Sequence, residues 1–462
     1  MTLQETETLS PATGTPGDVA RRIEQLRYSA WYTKVGSVVG AAYFFDAFDA
    51  LTIAVVLPVL IPQWHLTPIE IGVLIAAGNV GQALGSVLFG WLGDALGRVK
   101  TSMLTIMLFS ALSAACGFAP GYNALLILRV LQGLALGGEV PVMQTYMSEV
   151  TPSRFRGRFI VAFQTLFTTG IAFVGLVSIW VVPTFGWQWM FFIGFLPALI
   201  LAPLRVLMPE SPRWLAGQGR YAEADAILRR IEGATIAADP MAEPPAKHAG
   251  TRTPSRVQDL FTGHYFWRTM TIWAIWLTVS ICSYGLAGWL PSIYRTVLGL
   301  SIQQSLLFNF ISLLGSIVGC LLCAAVIDRI GRKPWICASL AIGAAALFVL
   351  SQAGRMSPTT IMTIMILVFA AITGCVVILG TYTTENFPTH VRSKGVGLAN
   401  TWQRIAAIIG PVLIGWVLQI GSVGAVFAML GACAALGSVI CLVWGVETKG
   451  RALEELAPAK SV

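Results

Sequence analysis

Apolar stretches long enough to cross a bilayer recur along this chain, and nothing constrains its fold more. They occupy residues 36–62, 71–93, 101–119, 122–147, 159–182, 187–208, 266–290, 304–327, 334–353, 358–384, 395–418 and 422–446. A span needs roughly 17–25 such residues. In hydrocarbon each must satisfy its own backbone hydrogen bonds, so each is read as an α-helix. The fold class expected is an all-α membrane protein with twelve spans, six on each side of a hydrophilic stretch at 209–265. Only 11% of the residues are charged, against about 25% in soluble proteins, which excludes a soluble fold. The organisation expected is a segment 1–35, a helical half 36–208, a linker 209–265, a second half 266–446 and a tail 447–462.

Lys and Arg set the orientation. With the N-terminus inside, 26 of the 30 basic residues fall in cytoplasmic segments. Arg295 and Arg355 lie outside, and Arg129 and Arg404 lie within spans. Both termini are therefore expected in the cytoplasm. The net charge of +8 reflects this topology and does not point to nucleic acid. No removable signal peptide is read ahead of the first span. The eight cysteines lie within or beside spans, which argues against a disulfide framework. The histidines are scattered, so no metal site is read, and neither a cofactor nor an enzyme domain is expected. Residues 219–232 have helical apolar spacing and are expected along the membrane surface. Residues 233–258 are rich in Pro and Ala and read as a linker.

The halves repeat. "DALGR" (94–98) matches "DRIGR" (328–332), and "YMSEVTPSRFRG" (146–157) matches "YTTENFPTHVRS" (382–393). Repeated halves of this kind usually enclose a midplane site and rock about it. In the first half Asp94, Arg98, Glu149 and Arg156 are gating candidates. Asp94 is expected close to Arg98 and, across the bundle, to Arg156 or Arg158. Their repeats are Asp328, Arg332, Glu385 and Arg392. Interfacial ion pairs can hold one conformation closed and break in the other; the alternative is a role in topology and folding alone.

With Arg205 and Arg268, close to span ends, counted with the cytoplasmic loop, five charges remain inside spans: Asp46, Asp49, Arg129, Glu139 and Arg404. A charge at mid-membrane costs at least roughly 2.5–3.5 kcal/mol, so each is a functional candidate. Asp46 and Asp49 share a face of the first helix and suit proton coupling; the alternative is a static ion pair. Arg129 and Glu139 are ten residues apart, about 15 Å along a helix, and cannot pair with each other. Each needs a partner elsewhere, and the first-helix aspartates are the nearest by topology. Arg404 has two readings. One is a salt bridge to an aspartate of the first helix. The other is an anchor for an anionic substrate, since a guanidinium fork suits a carboxylate. Tyr43, Gln164, Tyr284, Tyr382 and Asn400 are the aromatic and amide groups that could complete a small substrate site.

"GWLGDALGRVK" (90–100) resembles the loop signature of the major facilitator superfamily. "PESPRWLAGQGR" (209–220) and "VETKGRALEEL" (446–456) resemble its motifs after the sixth and twelfth helices. Ala95 departs from the pattern, where the family usually has a basic residue. "FDAFD", "GGEVP", "FGWQ", "YG…WLPS" and "QRIAAIIGP" resemble the bacterial metabolite–proton symporters, above all those for niacin (nicotinate) and aromatic acids. The resemblance implies a monomeric carrier in a bacterial inner membrane, with a small organic anion and protons as its partners. A sugar porter, a cation-exporting antiporter and a non-transporting receptor are the alternatives. Of these, the sugar porter has no use for a midplane arginine, and the antiporter's substrate would be repelled by it.

Overall fold

The computed structural model describes residues 15–206, 208–233, 257–261, 264–387 and 391–449. The N-terminal half contains α2 (Ala30–Trp64), α3 (Pro68–Leu96), α4 (Arg98–Gly117), α5 (Tyr122–Val150), α6 (Ser153–Phe185), α7 (Gln188–Ile193) and α8 (Leu196–Val206), preceded by α1 (Pro16–Gln25). After α9 (Pro212–Gly217) and α10 (Tyr221–Gly233), the C-terminal half contains α11 (His264–Thr296), α12 (Ile302–Ile330), α13 (Arg332–Leu350), α14 (Pro358–Asn386), α15 (Arg392–Ile420) and α16 (Val423–Trp444). Ten of the helices among the described residues are long and apolar enough to cross a membrane. α6 and the α7–α8 pair supply the remaining spans. The sixth span was expected to be continuous, but it breaks at Gly194 and Phe195, between α7 and α8.

The repetition extends from loop motifs to backbone packing. An offset of 234 carries α3 onto α12, and an offset of 236 carries α5 onto α14. Gly81 and Gly85 set α3 against the carbonyls of Val130 and Leu134, where an added Cβ would stand 2.1 and 1.8 Å away. At the repeated positions Gly315 and Gly319 set α12 against Ile366 and Ala370, both at 2.1 Å. In lipid such small-residue contacts replace the hydrophobic effect as the source of helix association. Any side chain at these four glycines would force the helices apart.

The charged loops form two matching networks on the face where the described residues begin and end, the termini-bearing face. Arg98 bonds Asp94 at 2.6 Å and Glu149 at 2.9 Å. Arg332 bonds Asp328 at 3.4 Å and Glu385 at 3.3 Å. Gly97 (φ 105°) and Gly331 (φ 100°) make the turns before α4 and α13, in a region that glycine enters without strain. Glu210 then accepts the backbone N–H groups of Arg98 (2.9 Å) and Val99 (3.2 Å). Glu447 does the same for Arg332 (3.1 Å) and Lys333 (3.0 Å). Each carboxylate caps a helix N-terminus and complements its dipole.

Two expectations are corrected on this face. Arg156 does not reach Asp94: it bonds Glu24 of α1 at 3.2 Å and the Thr151 carbonyl at 3.0 Å. The apolar face of α10 does not rest on lipid. Ala224, Leu228 and Ile231 pack with Leu215 of α9 and with Val19, Ile23 and Leu26 on and just after α1. The side chains of Arg158 and Gln164 lie outside the described residues, as do most of the 233–258 linker and residues 450–462 of the tail.

Candidate functional site

Two buried ion-pair clusters stand inside the N-terminal half, the second about 15 Å further along α5 and nearer the rim. In the first, Asp49 Oδ1 accepts from Gln132 Nε2 at 2.8 Å and Ser113 Oγ at 2.9 Å. Its Oδ2 faces Arg129 Nη1 at 3.4 Å, and Arg129 also donates to Gln132 Oε1 at 2.8 Å. Two glycines make room: a Cβ on Gly78 would stand 3.0 Å from Arg129 Nη2, and one on Gly194 would stand 2.2 Å from Ser113 Oγ. The break in the sixth span therefore lies against the Asp49 cluster.

In the second cluster Glu139 accepts from Ser102 Oγ (2.7 Å), Thr105 Oγ1 (2.8 Å) and Arg205 Nη2 (2.6 Å). Arg205 also donates to Ser102 Oγ and contacts Met143 Sδ. Arg205 was not among the candidate residues: it stands near the end of an apolar run and was counted with the cytoplasmic loop. It is 0% exposed. The signal was Glu139: a buried carboxylate needs a cation, and first-helix aspartates cannot supply one.

Asp46 belongs to neither network. It is 2% exposed, and neither of its oxygens has a hydrogen-bond partner. Glu139, Arg205 and Asp49 are the charges that act on it. Tyr43, three residues earlier, is buried among Val142, Met143 and Tyr146, and its hydroxyl donates to the Val140 carbonyl at 3.5 Å. It packs the half rather than facing a ligand. Tyr382 is likewise a correction. At 1% exposure, its hydroxyl accepts the Val446 N–H at 2.9 Å and ties α14 to the chain beyond α16.

Arg404 stands apart. It is half-buried on α15, one helical turn after the exposed Asn400. Among the described residues no carboxylate comes within 4.0 Å of it, so of its two readings the salt bridge to the first helix is absent from this structure. Among the described residues its one side-chain partner is Gln82 Oε1 on α3, at 3.4 Å. Tyr284 of α11 is 39% accessible, and Arg404 is the charge that acts on its hydroxyl.

Gln82 and Arg404 end a stripe of contacts between the halves. From the face opposite the termini inward, Gly415 packs on the Pro68 carbonyl and Gly72 on the Pro411 carbonyl, where a Cβ would be 2.3 and 2.5 Å away. Gly288 packs on Ile75, and Asn79 Nδ2 donates to the Ala407 carbonyl at 3.2 Å. Positions 68, 72, 75, 79 and 82 share one face of α3. The far side is closed along this stripe, down to Arg404.

Residues 13–459 match the family described as sugar (and other) transporter. The chain is similar to the niacin transporter NiaP of Acinetobacter baylyi, 32% identical over 443 residues that cover 95% of this chain and 99% of that protein. It is also similar to a gallate transporter of Pseudomonas putida, 30% identical over 92% of this chain and 94% of that one. A solved D-xylose–proton symporter superposes with a TM-score of 0.70 over 92% of this chain and 100% of that chain, at 19% identity; this is a likeness of fold.

Proposed function

The chain belongs to the sugar (and other) transporter family of the major facilitator superfamily, and from that premise we propose that it imports a small organic anion, nicotinate or a similar aromatic carboxylate, together with protons. It is a membrane carrier and not an enzyme. The termini-bearing face is taken as cytoplasmic, and the membrane as a bacterial inner membrane.

The observation that carries this reading is Arg404. A guanidinium at mid-depth without a carboxylate partner among the described residues is an unmet demand for an anion. Its neighbours Tyr284 and Asn400 offer an aromatic surface and an amide. A flat ring bearing one carboxylate matches that set: the carboxylate takes the fork and the ring lies beside Tyr284. The relatives that carry niacin and gallate fall in the same chemical class.

Proton coupling is assigned to Asp46 rather than Asp49. Asp49 is satisfied by Arg129, Gln132 and Ser113. A carboxylate with no donor at all in a dry interior is costly, so Asp46 is the carboxyl suited to carry a proton while the far side is closed. Asp49 and Arg129 act beside it as a pair that can rearrange.

The test is binding by purified wild-type and Arg404→Ala protein, with nicotinate and nicotinamide as ligands. Charge-assisted bonds contribute about 1.5–3 kcal/mol each, so the substitution is expected to weaken nicotinate binding by at least about thirtyfold. Nicotinamide has nearly the same shape without the charge and should bind weakly to both proteins. Equal loss for acid and amide, with a lower melting temperature in the absence of ligand, would leave Arg404 as a structural charge.

A further inference from the structure

Gln82 occupies an unusual place. It is the innermost residue of the α3–α15 stripe and, among the described residues, the one side-chain partner of Arg404. A guanidinium only donates, so the amide oxygen must face it. The base of the side chain is held firmly, because Gly137 of α5 packs on the Gln82 carbonyl, with an added Cβ only 2.3 Å away. Gln82 therefore reaches Arg404 when α3 closes on α15 and leaves it when they part. Gly72 against Pro411 and Gly415 against Pro68 are close enough to make that closure a backbone contact.

We propose that Gln82 is a release residue: as the far side closes, its amide takes Arg404 Nη1 and removes one prong of the fork that holds the substrate carboxylate. This rests on the reading of Arg404 as the anion's anchor. With Nη1 engaged, the end-on Nη1/Nη2 fork is lost and only the side-on Nε/Nη2 edge remains for a carboxylate, so the grip weakens and the anion leaves toward the open side. The chemistry of the residue suits the task. A neutral amide at 3.4 Å holds a guanidinium more weakly than a carboxylate does, so it competes without trapping. A glutamate in its place would form a lasting ion pair, and an apolar residue would leave the fork to the substrate. Gln82 is thus a positioning residue for release, set by the state of the seam and not by the substrate.

The experiment measures nicotinate affinity by calorimetry on purified full-length protein, with melting temperatures to confirm folding. Gln82→Ala is expected to tighten nicotinate binding by about three- to tenfold, the size of one lost competing hydrogen bond. The Gly72→Trp background wedges the seam open and should keep Gln82 from Arg404, so there Gln82→Ala should change nothing. Gln82→Glu should abolish nicotinate binding and raise the melting temperature. Unchanged or weaker binding in Gln82→Ala overturns the inference, as does equal tightening in both backgrounds or wild-type affinity in Gln82→Glu. Arg404→Ala separates the two levels. If it leaves nicotinate affinity intact, the anchor reading fails and this inference with it. If it weakens binding while Gln82→Ala is neutral, the release role alone is lost.

Discussion

The two halves agree at their rims and disagree in their interiors. At the termini-bearing face Asp94, Arg98, Glu149 and Glu210 are repeated as Asp328, Arg332, Glu385 and Glu447, with the same bonds. Inward of the rim the N-terminal half carries Asp46, Asp49, Arg129, Glu139 and Arg205, all buried. At mid-depth in the C-terminal half, among the described residues, Arg404 is the charge that stands out. The offset of 236 that relates α5 to α14 carries Arg129 and Glu139 onto Met365 and Cys375, both buried and uncharged. Repetition persists where both halves perform the same movement and is lost where they do different work. On the proposed function, the unpartnered Asp46 in the N-terminal half handles the proton, and Arg404 in the other half, bonded to Gln82, is left for a substrate carboxylate.

The comparison breaks most visibly at Glu139 and Arg205. If this pair is part of the scaffold, removing one partner strands the other charge in a dry interior. Arg205→Ala is expected to cost about 3–5 kcal/mol, read as a large drop in melting temperature and yield. The double variant Glu139→Leu with Arg205→Met should recover part of that loss. Cys375→Ala, at the repeated position, should cost far less. If Arg205→Ala melts like the wild type while losing proton-driven uptake, the pair is a coupling element and the division drawn inside the N-terminal half is wrong.

Asp46 sharpens the contrast next. Asp46→Asn should end accumulation driven by an inward proton gradient while exchange of preloaded substrate continues. Nicotinate affinity should change by less than about tenfold, or 1.4 kcal/mol, because the anchor lies in the other half. Accumulation that survives collapse of the gradient in the wild type would remove proton coupling altogether.

Much of the rim was legible in the sequence, because loop motifs there are short, polar and repeated. Glu210 and Glu447 lay inside quoted motifs, yet their capping roles were not read; a glutamate recurring just after the last span of each half was the available sign. The interior was less legible. The pairing of Arg129 with a first-helix aspartate followed from topology, since only a few acids could meet it. Arg205 was hidden because a charge near the end of an apolar run looks like a loop residue until its depth is known. Tyr43 and Tyr382 were misjudged because an aromatic residue in a span has the same signature whether it packs or faces a cavity. Gly194 gave no warning of a helix break, since glycine is common in spans for reasons of close approach.

The rims should respond alike, and their small difference tests how complete the repetition is. Asp94→Asn and Asp328→Asn should both slow transport and leave nicotinate affinity within about tenfold. Asp94 meets its arginine at 2.6 Å and Asp328 at 3.4 Å, so Asp94→Asn should slow the cycle more. Complete loss of binding in a folded Asp94→Asn protein would show that rim and site are not separate.

The smallest expected effect lies where only one half has a partner. Glu24 of α1 bonds Arg156 at 3.2 Å and Arg213 at 3.0 Å and accepts the Ser153 N–H. This ties the segment before the first span to the start of α6 and to α9. Partial burial raises the Glu24 carboxyl, but the Ser153 amide and the two arginines outweigh it and hold it below its ordinary value of 4.5. A carboxyl lowered in the folded state contributes stability that is present above its unfolded value and is lost as pH falls through the folded one. Docking of α1 should therefore hold at neutral pH and loosen below about pH 4.5. Glu24→Gln should cost only about 0.2–1 kcal/mol for each exposed pair removed, and proteolysis near residue 26 should report it. The substitution should also flatten the acid side of that pH profile. An unchanged acid limb in Glu24→Gln would mean that other carboxylates of the cap, Asp225 and Glu232 beside Arg22, hold α1 in place. The asymmetry between the halves at this face would then rest on the apolar packing of α1 against α9 and α10.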